Sequence, residues 1–223
     1  MKENRRELID SYLTARETVV NRGFAAEIDW QESRCLASLS ESEFLKEAAW
    51  VVLSAGMREA IIRRIFQNFS LAFLNWTSAE AITQNRRICE ADAIKIFNHP
   101  RKVSAIGAIC EKVERAGFVI FRSSIQSKGA DFLQELDFIG PITKFHLAKN
   151  IGLNVVKPDR HLVRLAKATN FDDPRDLCET IAEITGDKLS VIDVILWRYA
   201  TLNPQYIAFF QQSSRTTSNS SPH

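Results

Sequence analysis

Asp159 is the residue in this chain best suited to electrostatic or acid–base chemistry on a charged substrate. It lies in the run Lys157-Pro158-Asp159-Arg160-His161. A carboxylate at a helix start, with basic neighbours, is favoured in its charged form by the helix dipole and by those neighbours. Such a charge can stabilise a developing cation and orient a water molecule. The simpler alternative, compatible with the first, is that Asp159 only caps the helix.

The segment 140–170 around Asp159 is strongly basic. Its six lysine and arginine side chains stand against one acid, so the local net charge is +5 while the whole chain carries +2. These cations are Lys144, Lys149, Lys157, Arg160, Arg164 and Lys167. Clustered positive charge of this kind favours a polyanion, and nucleic-acid phosphate is the common one.

A tight turn precedes the basic segment at Phe138-Ile139-Gly140-Pro141. Gly140 can adopt positive φ, Pro141 presets φ for a first helical position, and Gly152 suits a left-handed helix end. These signals predict a helix from about residue 142 to 150. The N–H groups of Gly140, Ile142 and Thr143 would then be free to bind a phosphate oxygen. An ordinary helix–turn–helix is the alternative.

Three stretches together resemble a known family. The run Leu136-Asp137-Phe138-Ile139-Gly140-Pro141-Ile142-Thr143 is similar to the hairpin L-P-G-V-G-x-x-T-A of helix-hairpin-helix DNA glycosylases, the HhH-GPD superfamily. That superfamily includes endonuclease III and the alkylbase glycosylases. Asp159 falls on the aspartate that opens a helix downstream of the hairpin. Val52-Leu53-Ser54-Ala55-Gly56-Met57 resembles the L-L-S-A-Q-x-T segment that faces DNA in relatives. The resemblance covers roughly residues 40–200.

The resemblance implies a monofunctional DNA glycosylase of base excision repair, acting on double-stranded DNA with a flipped base. Asp159 would stabilise the oxocarbenium-like sugar and activate water. The implied DNA-binding residues are Ile139, Gly140, Pro141, Ile142, Thr143, Lys144, Lys157, Arg160 and His161. For His161, packing inside the protein is an equal alternative.

Two positions depart from the family pattern. Phe138 stands where the family has its first hairpin glycine, and Lys144 stands where it has alanine. Relatives that also cleave the backbone hold a Schiff-base lysine two residues after the second hairpin glycine, and that position is Ile142 here. The expectation is therefore no lyase activity. The alternatives are a glycosylase/AP lyase that uses Lys144 or Lys157, and a non-catalytic helix-hairpin-helix DNA-binding module.

Four residues are candidates for the wedge or the base pocket. Met57 and Arg58 follow the break at Gly56, and Met57 could fill the gap left by a flipped base or simply fill the core. Trp50 and Phe145 could stack on a base, although core packing is the commoner role of such residues. Arg101 and Lys102, at a predicted helix start, suit a DNA-backbone contact or solvation.

Cofactors and metals are not expected. The four cysteines, Cys35, Cys89, Cys110 and Cys178, are scattered without a C-x-x-C pair, and none follows Cys178. The C-terminal iron–sulfur loop of many endonuclease III relatives is therefore not expected. No apolar run is long enough to span a membrane, and the N-terminus is charged. We expect a soluble, cytoplasmic monomer, associated with the nucleoid if the source is prokaryotic.

The hydrophobic periodicity predicts an all-α protein of about ten helices. Ser40 and Glu43 form a capping-box pattern at the start of the helix that contains Trp50. The resemblance implies two lobes with a cleft, with Asp159 at the crossover between them. The predicted domains are a central lobe, 39–153, and a second lobe formed by 1–38 and 157–212. The polar tail 213–223 is predicted to be disordered.

Overall fold

The computed structural model describes residues 2–212, and every regular element in that range is helical. The all-α prediction is confirmed. The helices are α1 (Lys2–Val19), α2 (Ala25–Ser33), α3 (Glu41–Ser54), α4 (Glu59–Ala72), α5 (Ala79–Gln84), α6 (Arg86–Ile96), α7 (Pro100–Ala116), α8 (Phe118–Lys128), α9 (Ala130–Leu133), α10 (Thr143–Asn150), α11 (Arg160–Ala168), α12 (Pro174–Thr185), α13 (Leu189–Leu202) and α14 (Tyr206–Gln212). The tail 213–223, for which the sequence predicts disorder, lies outside the described residues.

The described residues form fourteen α-helices, several of them short, where about ten helices were expected. A helix as short as α9, with four residues, completes about one turn and cannot show a 3.6-residue period. None of the described helices combines the length and the apolar character that crossing a membrane requires.

The chain divides into two compact units, at Arg34/Cys35 and at Leu153/Asn154. The central unit, residues 35–153, contains α3 to α10. Ser40 and Glu43 form the predicted capping box: Ser40 Oγ accepts from the Glu43 N–H, and the Glu43 carboxylate accepts from the Ser40 N–H at 3.0 Å. Helix α3 packs against α7 and α10, and its buried face supplies much of the core of this unit.

A left-handed turn of three consecutive residues joins α4 to α5. Leu74, Asn75 and Trp76 have φ angles of 53°, 50° and 62°. Asparagine tolerates this region, but leucine and tryptophan rarely adopt it because their Cβ crowds the backbone. Packing holds the turn: the Trp76 ring stacks on Phe73 at 5.2 Å, and its Nε1–H donates to Ser70 Oγ at 2.9 Å.

Helix α10 ends where the sequence predicts, at a left-handed Gly152 with φ of 95°. The Leu153 N–H donates to the Ala148 carbonyl at 2.9 Å, and the Gly152 N–H donates to the Lys149 carbonyl at 3.1 Å. These two bonds form a Schellman motif. A Cβ on Gly152 would lie 2.6 Å from the backbone nitrogen of Leu36, so the chain can pass there only because the side chain is absent.

The second unit contains α1, α2 and α11 to α14, drawn from both ends of the described chain. One face of α1 is apolar and packs against α12 and α13. The buried Tyr12 hydroxyl donates to Asp187 Oδ2 at 2.6 Å, and Arg16 Nη1 lies 3.1 Å from the same oxygen. Burial and the Asp187 hydrogen bond raise the pKa of Tyr12, so this tyrosine remains protonated and donating.

Candidate active site

Asp159 is the N-cap of α11, and only one of its two carboxylate oxygens takes part in the cap. Its Oδ1 accepts from the N–H of His161 at 2.8 Å and of Leu162 at 3.2 Å. Its Oδ2 has no hydrogen-bond donor among residues 2–212. The side chain is half-buried. The capping role is thus real, and it fixes the carboxylate while leaving Oδ2 able to act on a ligand.

The segment before α11 is anchored to the core of its unit. The Lys157 N–H donates to Asp193 Oδ2 at 2.6 Å, and Asp193, on α13, is only 1% exposed. The Asp159 N–H donates to the Lys157 carbonyl at 2.7 Å, and Val156 is buried. A buried carboxylate that accepts from a backbone N–H holds that segment in place. Asp193 was not among the residues singled out from the sequence, where a lone aspartate on an apolar helix gives little signal.

The imidazole of His161 is neutral at pH 7. Burial lowers the pKa of His161 below its usual 6.5; the Asp159 carboxylate opposes this shift and the Arg160 guanidinium reinforces it. The ring packs against Tyr206 with centroids 5.8 Å apart, and its buried Nδ1 has no hydrogen-bond partner within the described chain. Packing therefore accounts for most of the position of His161.

Helix α11 presents a basic face. Arg160, Arg164 and Lys167 are exposed and lie at i, i+4 and i+7, so they share one side of the helix. Leu162, Leu165 and Ala166 occupy the buried side. None of the three cations forms an ion pair with a carboxylate of residues 2–212. This face can therefore contact an anion without first breaking an internal salt bridge.

The hairpin turn lies in the central unit, and its left-handed residue is Phe138, not Gly140. Phe138 has φ of 66°, and the Ile139 N–H closes the turn on the Leu136 carbonyl at 3.1 Å. Gly140 is not among the positive-φ residues, so the expectation that it supplies that conformation is wrong. The third residue of the turn needs positive φ, and Phe138 occupies the position where glycine is usual.

Helix α10 begins at Thr143 with Ile142 as its N-cap, so Pro141 is not the first helical residue. The prediction that the Gly140 N–H is free is also wrong. It donates to Thr143 Oγ1 at 2.6 Å, because the threonine hydroxyl folds back over the turn. The N–H groups of Ile142 and Thr143 have no acceptor among the described residues. Those two amides are the ones that can bind an anion.

Two lysines of the predicted basic segment are not free cations. The Lys144 Nζ lies 2.7 Å from Asp131 Oδ1, and its side chain is 14% exposed. Lys149 is buried on the inner face of α10. A solvated phosphate contact by Lys144 would first require it to leave Asp131. The exposed positive charge therefore comes mainly from α11 and not from α10.

Met57 and Arg58 lie in the exposed turn between α3 and α4, after a left-handed Gly56. The Met57 side chain is 36% exposed, and its N–H donates to the Ser54 carbonyl at 3.0 Å. Arg58 is exposed as the residue before α4. Met57 is therefore not a core filler.

Trp50 and Phe145 are half-buried inside the central unit. Trp50 meets the Phe66 ring edge-on at 5.0 Å, and Lys144 Nζ lies 5.2 Å from the centre of the Phe145 ring. Trp50 also lines a pocket of about 600 Å³ between α3 and α4. Aromatic and polar side chains both line this pocket. Besides Trp50 they are Phe66 and Trp76, and Ser42, Glu43, Lys46, Arg63, Gln67, Ser70 and Asn75.

Residues 2–212 contain no cluster of three or more histidine, cysteine or acidic side chains able to hold a metal ion. Among those residues, Cys35 is exposed and Cys89, Cys110 and Cys178 are buried as free thiols. Burial raises the pKa of Cys110 to about 12, so its thiol stays protonated.

Comparison with known proteins gives one informative result. No protein-family profile matches the chain, and neither does any curated protein. Among solved structures, the chain is similar to the 8-oxoguanine glycosylase/lyase of Methanocaldococcus jannaschii, crystallised in complex with a 15mer DNA containing 8-oxoguanine. The TM-score is 0.59 at 21% identity, and the alignment covers 85% of this chain and 97% of the other. The chain therefore shares the helical fold of that protein.

Proposed function

We propose that this protein is a DNA glycosylase of base excision repair, which hydrolyses the N-glycosidic bond of a damaged or mispaired base in double-stranded DNA. The observation that carries the proposal is Asp159, a carboxylate fixed by two amides with Oδ2 unused. The fold shared with a glycosylase/lyase supports the same class.

In this mechanism the base leaves as the sugar becomes an oxocarbenium-like cation. The Asp159 carboxylate stabilises that cation and accepts a proton from the attacking water, which adds to the sugar carbon and leaves an abasic site. The buried Asp193 holds the backbone of Lys157, so the carboxylate does not have to reorganise during the reaction.

Backbone N–H groups and side chains of the protein bind the DNA strand at its phosphates, so these contacts do not depend on the base sequence. The free N–H groups of Ile142 and Thr143 at the start of α10 bind a phosphate oxygen. Arg160, Arg164 and Lys167 contact phosphates, and Met57 occupies the space left by the flipped base. Lys157 also contacts a phosphate. His161 helps to position Arg160, because Arg160 Nε donates to His161 Nε2 at 3.4 Å.

The base removed is found with a panel of duplexes carrying 8-oxoguanine, uracil, thymine opposite guanine, alkylated adenine or hypoxanthine, followed by hot alkali. The panel starts with 8-oxoguanine because the solved relative was crystallised with that lesion. Strand scission on one duplex identifies the substrate class. Binding without scission on every duplex favours the alternative, a non-catalytic helix-hairpin-helix module.

Asp159→Asn tests the catalytic role directly. Asparagine caps a helix about as well as aspartate, so the fold and the DNA affinity should be kept. Excision should fall by about a hundredfold or more, because the charge that stabilises the cation is gone. Excision and affinity are measured on the same duplex under single-turnover conditions.

Asp173→Asn is the matched control. Asp173 caps α12 through Oδ1, which accepts from the Arg175 N–H at 2.7 Å, so it undergoes the same chemical change at another cap. Its excision rate should equal that of the wild type. Equal losses in the two variants, or full activity of Asp159→Asn, would remove Asp159 from the mechanism.

A second candidate, a glycosylase/AP lyase, is favoured by the lyase activity named for the solved relative. Ile142 cannot form a Schiff base, so the amine would come from Lys144 or Lys157. The Lys144 Nζ lies 2.7 Å from Asp131 Oδ1, so this ion pair would have to break before Lys144 could attack a sugar carbon. Borohydride trapping on abasic DNA decides between the two candidates. A covalent adduct that disappears in Lys144→Gln or in Lys157→Gln establishes the lyase, and no adduct in the wild type excludes it.

A further inference from the structure

Lys102, on the first turn of α7, is a buried cation that connects two loops. It is 2% exposed, and its Nζ donates to the Leu53 carbonyl and to the Ala55 carbonyl, each at 2.6 Å. Both carbonyls belong to the C-terminal end of α3, immediately before the turn that carries Met57. A charged side chain from α7 therefore caps the end of α3.

The same ammonium group faces two aromatic rings. Its Nζ lies 5.6 Å from the centre of the Phe138 ring and 5.9 Å from that of Phe97, within the range of a cation–π contact. His99, the N-cap of α7, stacks on Phe97 and meets Phe138 edge-on at 6.1 Å. The strained hairpin residue, Phe138, therefore packs against the N-terminal end of α7.

Filling this space with a buried lysine is energetically unfavourable. Removing an ammonium group from water carries a large free-energy cost, and an apolar side chain would avoid that cost. Burial lowers the pKa of Lys102 from 10.5 to about 8. Two short carbonyl bonds at the negative end of a helix dipole offset the penalty. A methionine would fill the volume but could not donate to the two carbonyls at the end of α3.

We propose that Lys102 is a positioning residue, whose ammonium group fixes the Met57 turn and the hairpin relative to each other so that both engage one DNA strand. The mechanical link rests on contacts inside the central unit alone. Its consequence for DNA binding rests on the function proposed above, and the test separates the two.

The mechanical link is tested by hydrogen exchange of the full chain. Lys102→Met should speed hydrogen exchange about tenfold in two segments that are far apart in the sequence. They are the Met57 N–H and the Ile139 and Gly140 N–H groups of the hairpin. Phe138→Leu, which keeps Lys102 and its carbonyl bonds, should speed exchange in the hairpin alone. Lys102→Arg retains the charge and should show smaller increases at both places.

Val103→Ala is the matched control, because it removes buried volume from the same turn of α7 and leaves both carbonyl bonds intact. Exchange rates of Lys102→Met, Phe138→Leu and Lys102→Arg are compared with those of Val103→Ala, each protein being measured the same number of degrees below its own melting temperature. If Val103→Ala speeds exchange at the same two loops as much as Lys102→Met, or if Lys102→Met speeds neither, the link is wrong. If Lys102→Met does not fold, Phe138→Leu still tests the link. Rapid exchange in both the Met57 turn and the hairpin of Phe138→Leu, instead of in the hairpin alone, would overturn the link.

The DNA arm uses a duplex with a tetrahydrofuran abasic-site analogue as the probe. Lys102→Met should bind it about tenfold more weakly, because misplaced binding groups reduce affinity steeply, whereas Val103→Ala should bind as the wild type does. Equal affinity of Lys102→Met and the wild type overturns the positioning role. If the wild type itself does not bind, the proposed function fails, and the exchange result still decides the link.

Discussion

At the scale of single residues, Phe138 shows the clearest conflict between local preference and surroundings. Its φ of 66° suits glycine, its side chain is 37% exposed, and its ring touches Lys102 and His99. A left-handed non-glycine residue costs about 1–2 kcal/mol, so the contacts of the ring must compensate for that strain. The absence of glycine from this hairpin position has therefore not removed the turn.

Two substitutions separate the strain at Phe138 from the ring contacts. Phe138→Ala loses the ring and keeps the strain, whereas Phe138→Gly loses both. Phe138→Gly should therefore be more stable than Phe138→Ala by about 1 kcal/mol, measured as the free energy of unfolding in urea. If the alanine variant equals or exceeds the glycine variant, position 138 is not left-handed in solution.

Single residues are predictable from the sequence where the signal is local, as at helix caps and breaks. The Asp159 N-cap follows from the Pro-Asp pair, and the break before Met57 follows from Gly56, whereas the exposure of the Met57 side chain is a result of the structure. The burial of Lys102 was missed, although Lys102, Ile106, Ile109 and Val113 share one face of α7. A cation on an apolar face is ordinarily read as the solvated edge of the helix, because its acceptors, the α3 carbonyls, belong to a distant segment.

At the scale of elements, the end of α10 is a tightly constrained junction. Gly152 has positive φ and also lies against the backbone of Cys35 and Leu36. Gly152→Ala should therefore destabilise the protein by on the order of 2–4 kcal/mol, because the stretch of backbone opposite has no flexible side chain to move.

Gly186 provides the comparison for that prediction. It ends α12 with φ of 75° and has nothing within 4 Å of a built Cβ, so Gly186→Ala carries the conformational cost alone. We expect a loss of about 1 kcal/mol there. Thermal and urea unfolding of both variants check the pair; equal losses would mean that the Leu36 contact at Gly152 is relieved by a small shift.

Helices with strong periodicity or caps were predictable as elements, and α3, α7 and α13 are examples. The hairpin was predictable in place but not in geometry, since which residue takes positive φ depends on how Thr143 folds back over Gly140. The left-handed turn at Leu74–Trp76 had no signal, because only its packing against Phe73 and Ser70 stabilises that backbone.

At the scale of the whole molecule, the distribution of charge matters more than the net charge of +2. The sequence suggests one basic patch over residues 140–170, whereas the structure retains its exposed part on α11 and pairs or buries the lysines of α10. Linear proximity of charges thus overestimates the patch, because a helix shows only one face to solvent.

The basic face of α11 predicts a specific dependence of DNA affinity on salt. Replacing Arg160, Arg164 or Lys167 singly by glutamine should reduce the slope of log affinity for duplex DNA against log salt concentration by about 0.9 for each phosphate that is no longer neutralised. Lys95→Gln is the control, since Lys95 is exposed but already pairs with Asp92 at 2.7 Å. Fluorescence anisotropy over a series of salt concentrations gives the slopes. A slope unchanged in all three α11 variants would place the DNA elsewhere.

The discontinuous second unit has a consequence for how the chain is made. Its first two helices leave the ribosome before any of their partners on α12 and α13 exist, and the whole of Cys35–Leu153 must be synthesised in between. The apolar face of α1 is therefore exposed on the nascent chain throughout that interval, while the central unit can already fold. The central unit thus matures first, and the carboxylate proposed for catalysis becomes rigid only after α13, which carries Asp193, has been synthesised.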